Sequence, residues 1–396
     1  MPRKALIAGG SIGGLFAAAA LRRAGWQVDV FERVGVELAG RGAGIVTHAE
    51  LIAALEAVGA DTADLGVAVT ERVAFDRMGS AVARLDYGQV VTSWDRIHQM
   101  LRVLIPDDHH HLGRVITGYT QDTNGVTAQF ADGGTVEADV LIGADGFRSA
   151  IRGQMQPNVQ PEYAGYVVWR ALAAEADLPE DAHAQVFDAF GLYVPTGTQI
   201  IGYPIAGPGN DLRPGHRRYN FVWYVPVSVE GLEDMLTDDQ DVRHHISIPP
   251  PLIREEVVQA MVDQAEEALP SAFTQILAHS ERPFFTPIYD HHSAAMAEGR
   301  VALSGDAACV ARPHVGMGVT KAALDALALA RHLEGEDLAE ALTTYSAERT
   351  PAARAAYDRA RRLGSYLFEE PATGHNRDGA NNPNLQTILR ETAVTV

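Results

Sequence analysis

The first residues along the chain that could do chemistry form a glycine-rich turn followed by an acidic residue. The turn, Gly9-Gly10-Ser11-Ile12-Gly13-Gly14, lies between an apolar run (Ala5 to Ala8) and an Ala/Leu-rich pattern typical of a helix (Leu15 to Ala24). Glycines let the backbone approach a pyrophosphate closely, and the helix N-terminus offers it free N–H groups and a positive dipole. Glu32 ends the next apolar run, where a carboxylate can accept hydrogen bonds from a ribose. Although Ser11 replaces the middle glycine of the usual motif, the pattern predicts a site for an adenine dinucleotide.

The same turn has a second interpretation of a different class. Gly9 to Gly13 also fit G-x-S-x-G, the nucleophile elbow of α/β-hydrolases, which likewise follows a strand and opens a helix. In a hydrolase the elbow comes after several strands, because the oxyanion hole takes an N–H from an earlier loop. Only eight residues precede Gly9, so the dinucleotide interpretation is favoured.

Two later segments place a Gly/Asp pair at the end of an apolar run. One is Gly143-Ala144-Asp145-Gly146, and the other is Gly305-Asp306, which follows the run from Arg300 to Ser304. Open α/β sheets bind ligands outside the carboxyl ends of their strands, so both segments are candidates for the same site. The alternative for Asp145 and Asp306 is structural, with each carboxylate capping a helix N-terminus.

The surrounding pattern predicts the elements that position these motifs. The chain opens with a βαβ unit, and residues 163–229 contain short runs of Val, Tyr, Trp and Phe broken by Pro and Gly, which predicts antiparallel strands. After Glu281 the pattern returns to a buried strand and an Ala/Leu-rich helix from about Thr320 to Leu333. A further Ala- and Arg-rich helix is predicted from Ala339 to about Phe368. These elements predict an α/β fold with an inserted, mainly antiparallel sheet.

Composition excludes several classes of protein. Asp and Glu number 51 against 32 Lys and Arg, and the net charge of −19 disfavours nucleic acid and anionic membrane surfaces as partners. The single cysteine, Cys309, excludes a disulfide scaffold and a thiolate zinc site. No apolar run reaches the about 18 residues of a membrane helix, so a cytoplasmic protein is predicted. His109-His110-His111 is predicted to be a solvated loop and not a metal site, because three adjacent side chains cannot all point inward.

The glycine turn, Glu32, the Gly143 to Gly146 segment and Gly305-Asp306 follow one another in this order along the chain. Together they resemble the motifs of the class A flavoprotein aromatic hydroxylases. The resemblance runs from about Leu6 to Ala330 and implies a Rossmann-like FAD-binding domain of the para-hydroxybenzoate hydroxylase type, with an inserted β-sheet substrate domain and a C-terminal helix. Further matching stretches are Gly44-Ile-Val-x-x-x-Glu50-Leu, Tyr163-Ala-Gly-Tyr-Val-x-Trp169-Arg170, Tyr203-Pro-Ile, Asn220-Phe-x-Trp-Tyr224 and Arg312-Pro313-His314. The implied FAD domain comprises residues 1–70, 92–160 and 280–370, the substrate domain residues 71–91 and 161–279, and the tail residues 371–396.

The resemblance also implies which residues hold FAD, without a covalent bond and without a metal. The glycine turn would hold the pyrophosphate, Glu32 the adenosine ribose and Asp306 the ribityl chain. The other implied contacts are Gly9, Ser11, Ile12, Gly13, Gly14, Arg33, Arg41, Val115, Asp145, Gly316 and Gly318.

The activity that the resemblance implies is hydroxylation of a hydroxypyridine-like ring. NADH or NADPH would reduce FAD, and O₂ would then give a flavin hydroperoxide that transfers its distal oxygen to the ring. Ionising a ring hydroxyl raises the electron density of the ring, so a base is expected nearby; the candidates are His314, Tyr203 and His48. A flavoprotein oxidase or reductase without oxygen insertion and a hydroxylase of phenolic or benzoate substrates stay open as alternatives. A homodimer is a further expectation.

Overall fold

The computed structural model describes residues 2–38, 44–368 and 384–395. In these ranges the strands are β1 Lys4–Ala8, β2 Gln27–Glu32, β3 Gly44–Val46, β4 Val67–Phe75, β5 Ala81–Ser93, β6 His110–Leu112, β7 Ile116–Gln121, β8 Val126–Phe130, β9 Thr135–Ala138, β10 Val140–Gly143, β11 Glu162–Ala174, β12 Phe190–Tyr193, β13 Gln199–Ile205, β14 Arg218–Pro226, β15 Phe284–His292, β16 Ala297–Glu298, β17 Val301–Leu303 and β18 Cys309–Val310. The helices are α1 Ile12–Arg23, α2 Ala49–Val58, α3 Trp94–Arg102, α4 Ala150–Met155, α5 Glu180–Val186, α6 Val229–Met235, α7 Glu255–Ala268, α8 Ser271–Ala278, α9 Gly318–His332, α10 Leu338–Gly364 and α11 Leu385–Glu391.

A six-stranded sheet carries the glycine turn and both Gly/Asp motifs. Its strand order is β16-β17-β10-β1-β2-β6, and β1 pairs in parallel with both β10 and β2. These central strands are apolar runs because helices cover the sheet, and α1, α2 and α9 share one core with it. The motifs that end β1, β10 and β17 therefore lie at one edge of the sheet, and the predicted Rossmann-like fold is confirmed.

A nine-stranded, mainly antiparallel sheet forms the second layer. Its order is β18-β15-β11-β14-β13-β12-β4-β5-β3, with β12 and β4 as a parallel pair. Helices α5 to α8 cover one face, where Trp169, Trp223 and Phe273 lie in the core. The opposite face carries Tyr203 and Tyr224 and packs against the C-terminal residues of the chain. Period-2 alternation along the strands separates these two faces.

The prediction of a solvated loop at His109-His110-His111 is wrong. His110–Leu112 forms β6, a parallel edge strand beside β2. His109 Nδ1 and His111 Nε2 lie 2.9 and 3.3 Å from the Asp29 carboxylate, whereas His110 is buried. Successive side chains of a strand point to opposite sides, so the three rings alternate without forming one cluster.

The two predicted C-terminal helices are present as α9 and α10. The predicted division into domains stays a prediction; its limit between residues 70 and 71 falls inside β4, and that between 91 and 92 falls inside β5. The tail also contains an element that the sequence pattern did not predict, α11. Residues 371–383 and 396 of that tail lie outside the described residues.

The described ranges contain neither a membrane-spanning helix nor a metal-binding cluster. None of the helices there combines the length and the apolar character that a bilayer crossing needs. Within the same ranges, no three His, Cys, Asp or Glu side chains gather in a way that could hold a metal ion.

Candidate cofactor and substrate site

The glycine turn is built by close contacts that only glycine allows. Gly9 has a φ of +106°, and a Cβ there would lie 2.3 Å from the Ala144 carbonyl oxygen. A Cβ on Gly14 would lie 1.9 Å from the Gly9 carbonyl oxygen, so the start of α1 packs directly against the end of β1. Ser11 is the N-cap of α1, and its side chain makes no capping hydrogen bond. The N–H groups of the first turn are therefore available to an anion.

Glu32 fixes the turn from the neighbouring strand. Its Oε2 accepts a hydrogen bond from the Gly10 amide at 2.8 Å, and its Oε1 accepts one from the Val34 amide at 2.9 Å. Each carboxylate oxygen can accept more than one hydrogen bond. The side chain thus holds the backbone and keeps acceptor capacity toward the cleft that it lines.

Two adjoining cavities form one continuous cleft. The first, of about 430 Å³, is lined by Gly9, Ser11, Glu32, Arg33, Val115, Asp145 and Asp306, among others. The second, of about 340 Å³, lies between the nine-stranded sheet and α9, and its lining includes Ile12, Gly13, Tyr203, His314, Gly316 and Gly318. Ser11, Ala144, Gly146 and Asp306 line both cavities. The structure therefore brings most of the predicted cofactor residues together; Arg41 lies outside the described residues.

Asp145 binds the start of a helix, which is the structural role that the sequence left open as an alternative. Its carboxylate accepts hydrogen bonds from the Ser149 hydroxyl and, at 2.7 Å, from the Ala150 amide at the start of α4. Burial raises the pKa of the Asp145 carboxyl. Its carboxylate is thus already bonded within the protein, and a direct bond to a cofactor stays a prediction.

Asp306, in contrast, faces the cleft with its carboxylate unused. Among the described residues no side chain or backbone donor bonds to it, and it is exposed to the cleft, although surrounding protein atoms bury it enough to raise the pKa of its carboxyl. Its neighbour Gly305, at φ +60°, is held on both sides. The Gly305 amide donates to Asp325 at 3.0 Å, and the Gly305 carbonyl accepts from Lys321 Nζ at 2.7 Å.

The start of α9 closes the other side of the second cavity. Gly316 adopts φ +64°, and α9 begins at Gly318 without a side-chain cap. Gly316, Met317, Gly318 and Val319 all line the cavity. The free N–H groups and the positive end of the helix dipole therefore favour negative charge on a ring placed there.

These features fit FAD. An unused carboxylate at Asp306 suits a polyol chain, the uncapped N-terminus of α1 suits a pyrophosphate, and Glu32 has acceptor capacity left for a ribose. The cleft runs from Arg33 and Val115 past these groups to the start of α9.

Comparisons with known proteins agree with this fit. Residues 163–290 match a family described as FAD binding domain-like. The 2,6-dihydroxypyridine 3-monooxygenase of Paenarthrobacter nicotinovorans is 32% identical over 370 residues, which cover 91% of this chain and 90% of that protein. The 6-hydroxynicotinate 3-monooxygenase of Pseudomonas fluorescens is 27% identical, with 84% and 83% covered. The solved structure of 2,6-dihydroxypyridine-3-hydroxylase from Arthrobacter nicotinovorans matches with a TM-score of 0.87 at 30% identity and covers 95% of this chain and 96% of that one.

The chain belongs to the family of FAD-dependent aromatic-ring monooxygenases, as the ordered motifs predicted. It is a flavoprotein that binds FAD and takes its electrons from NADH or NADPH. The hydrolase interpretation of the glycine turn is therefore wrong.

Of the three predicted catalytic residues, His314 lines the second cavity but has no free nitrogen. Its Nδ1 lies 3.0 Å from Gln199 Oε1, and its Nε2 lies 2.8 Å from the Tyr166 hydroxyl. The neutral tautomer with its hydrogen on Nδ1 satisfies both bonds. Burial, with Arg312 nearby, lowers the pKa of His314 to about 3. Direct acceptance of a substrate proton would have to break one of these bonds, so the ring is better suited to holding Tyr166 in place.

Tyr203 and His48 differ in their access to the cavity. Tyr203 lines it and stacks on Phe190 with ring centroids 5.1 Å apart, and burial raises the pKa of its hydroxyl. His48 is not among the lining residues; its Nδ1 lies 2.7 Å from Thr320 Oγ1 on α9. Burial lowers the pKa of His48. Both side chains are thus neutral near pH 7, and only Tyr203 can reach a ligand directly.

The C-terminal wall of the cavity was not predicted from the sequence. Thr392 and Ala393 line it, and the Ala393 amide donates to the His314 carbonyl at 2.9 Å. Arg72, buried in β4, donates to the carbonyls of Leu389 and Thr392. A basic residue inside the apolar pattern of β4 was the one local signal for this contact.

Removing the carboxylate of Glu32 or Asp306 should weaken FAD binding. Glu32→Ala and Asp306→Ala each leave a polar group of FAD without its partner, at a cost of about 1–3 kcal/mol, or about 5- to 150-fold in Kd. Glu32→Ala should have the larger effect, because it also removes the acceptor of two backbone amides. Quenching of FAD fluorescence on titration into the apoprotein measures this. Glu281→Ala, at an exposed position, is the control; parental affinity in both cleft variants would contradict the assignment.

Proposed function

We propose that this enzyme hydroxylates a small N-heteroaromatic ring that carries one or more hydroxyl groups. The observation that carries the proposal is the second cavity, which is walled by Tyr203, Tyr224 and aliphatic side chains and opens onto the FAD cleft. Two relatives that match over most of their length are named for hydroxypyridine-type substrates, 2,6-dihydroxypyridine and 6-hydroxynicotinate. A flat ring with polar substituents suits walls of this kind.

Some residues of the chain bind the cofactor, and others contact the substrate. Bound FAD supplies the redox chemistry with O₂, which protein side chains cannot carry out alone. Asp306, Glu32 and the start of α1 hold the cofactor, and the start of α9 favours negative charge at the ring edge that it faces. The buried bonds of His314 to Tyr166 and Gln199 keep the cavity wall in one arrangement. Tyr203 and Tyr224, whose hydroxyls stay protonated, are the candidates to donate hydrogen bonds to the ring substituents.

Oxygen insertion can be measured directly. We expect hydroxypyridines to stimulate NAD(P)H oxidation by the FAD-loaded enzyme and to yield a product one oxygen heavier, detected by mass spectrometry with ¹⁸O₂. Hydroxybenzoates, tested in parallel, should stimulate less. NAD(P)H oxidation that produces only hydrogen peroxide with every compound would instead indicate an oxidase or reductase, and a preference for hydroxybenzoates would contradict the proposed ring.

The remaining expectations are also proposals. A cytoplasmic location is supported by the acidic composition and by the free, buried thiol of Cys309. Whether NADH or NADPH is the better donor is decided by comparing their KM values. A homodimer would be recognised by its mass in light scattering.

A further inference from the structure

Arg170 lies on the wall of the second cavity, on an inner strand of the nine-stranded sheet. It belongs to β11 and is paired with Val222 of β14 and Phe284 of β15. Because side chains alternate along a strand, Arg170 shares a face with Tyr166 and Val168, whereas Trp169 points to the helices on the other side. Its side chain lines the cavity together with Tyr203 and Tyr224.

The guanidinium of Arg170 has no partner in the part of the chain that the structure describes. Among the described residues no acceptor makes a hydrogen bond or an ion pair with it, although the residue is only partly exposed. The other arginine of the cavity, Arg312, differs: its Nε donates to Asp290 at 2.6 Å. A partly buried cation without a counter-charge is costly, and five N–H donors that face a cavity suit an anionic ligand.

Arg170 is the arginine of the cavity lining that no carboxylate of the described residues pairs with. The titratable groups that line the cavity with it are Tyr203, Tyr224, His314, Arg312 and Asp306. The tyrosines and His314 are neutral near pH 7. Arg312 is paired with Asp290, which Arg361 also approaches at 3.7 Å, and Asp306 lies in the part shared with the first cavity. Burial raises the pKa of Tyr224 to about 12, and the charge of Arg170 offsets part of that rise. A phenol-type oxygen of a ligand placed near Arg170 would be favoured in its ionised form for the same reason.

We propose that Arg170 binds the substrate through an ionised ring hydroxyl and selects for aromatic anions. This inference rests on the proposed hydroxylation and specifies the charge of its substrate. An ionised hydroxyl makes the ring electron-rich, which oxygen transfer requires, and a permanent cation can hold that form without a proton-accepting residue in the cavity. Arg170 stabilises the ionised hydroxyl in place of His314, which the sequence predicted as a base, because both nitrogens of His314 are already bonded.

The test compares anionic and neutral probes that share a nitrobenzene ring. Dissociation constants of 4-nitrophenol, 4-nitrobenzoate and nitrobenzene for the oxidised holoenzyme are measured by equilibrium dialysis at a pH where 4-nitrophenol is ionised. In Arg170→Met we expect the Kd of 4-nitrophenolate to rise about 10- to 100-fold, while that of nitrobenzene changes about twofold or less. Arg170→Lys should recover part of the loss. Arg84→Met, an exposed arginine of the same sheet that pairs with Glu71, is the matched control.

Three results would overturn the inference. They are an unchanged Kd for 4-nitrophenolate in Arg170→Met, an equal loss for nitrobenzene, and a dependence on Arg170 for 4-nitrobenzoate alone. FAD content and absorption spectrum of each variant show whether the fold is retained, and Arg170→Lys provides the comparison if Arg170→Met does not fold. These binding data are independent of turnover. A parent enzyme that inserts no oxygen but loses 4-nitrophenolate binding in Arg170→Met would refute the proposed function and leave the anion site standing.

Discussion

Replacing Asp325 by alanine is expected to destabilise the protein by about 3–5 kcal/mol and to loosen FAD. The Asp325 carboxylate is fully buried on α9, accepts from the Gly305 amide and from Arg349 Nε at 2.9 Å, and lies 3.7 Å from Lys321 Nζ. Its removal leaves two cations without their counter-charge in the interior, which is far more costly than losing an exposed pair. It also releases the Gly305 amide, which positions Asp306 in the cleft. Urea unfolding of the apoprotein and FAD titration measure the two effects.

The control for this variant is Asp358→Ala. Asp358 and Arg354 form an exposed i,i+4 pair on α10, and such pairs contribute about 0–1 kcal/mol. If Asp325→Ala and Asp358→Ala had the same unfolding midpoint and the same FAD affinity, the buried ionic network would have no role in the stability of the Gly305 loop.

The parts of the fold that the sequence predicted are those determined by local pattern. The βαβ unit, the strand before Gly305 and the helices α9 and α10 follow from apolar periodicity and from the glycines between them. The error at His109-His110-His111 shows the limit of this approach. The observation that adjacent rings cannot share one side was sound, but an edge strand satisfies it as well as a loop does. The deciding fact is the pairing of β6 with β2, which the local residues do not specify.

Some residues of the candidate site were predictable from local sequence pattern, and others were not. Gly9, Glu32 and Asp306 lie in the cleft because each stands at or just after the end of a strand in the parallel sheet, which the motif spacing indicates. Thr392 and Ala393 reach the cavity because Arg72 binds carbonyls of a segment 320 residues away in sequence. Contacts over such separations depend on how the two sheets pack. The signal that a single sequence gives for this contact is one charged residue, Arg72, inside an apolar strand. The position of His314 was predictable because it lies on the loop between the Gly305-Asp306 motif and α9.

The chemistry of His314 was not predictable, because its partners come from other strands. Tyr166 lies on β11 and Gln199 on β13, and neither is close to His314 in sequence. A histidine in a loop next to a cofactor motif is typical of a base, but two hydrogen bonds and full burial change its properties. The same burial makes the ring a source of pH-dependent stability.

Acidification from pH 8 to pH 5 is expected to lower the free energy of unfolding by about 4 kcal/mol through His314 and His291. Burial is the main cause that lowers the pKa of both rings to about 3, with nearby arginines adding to it. In the unfolded chain a histidine takes up its proton near pH 6.5. Between these values the unfolded state binds more protons than the folded state. The contribution of each ring to the free energy of unfolding is therefore fully present above pH 6.5 and decreases as the pH falls, by about 2 kcal/mol per ring at pH 5.

Urea unfolding of the parent and of His314→Gln at pH 8 and pH 5 tests this contribution. Glutamine keeps hydrogen-bonding groups at the site but does not titrate, so the pH-dependent loss in the variant should be smaller by about 2 kcal/mol. Asp145 and Asp306, whose pKa values are raised by burial, act in the opposite direction, but they are the same in both proteins and cancel in the comparison. His216→Gln, at an exposed ring, is the control for the substitution itself. An undiminished loss of stability in His314→Gln would mean that the ring takes up its proton in the folded protein at ordinary acidity, and His314 would again be a candidate for the base.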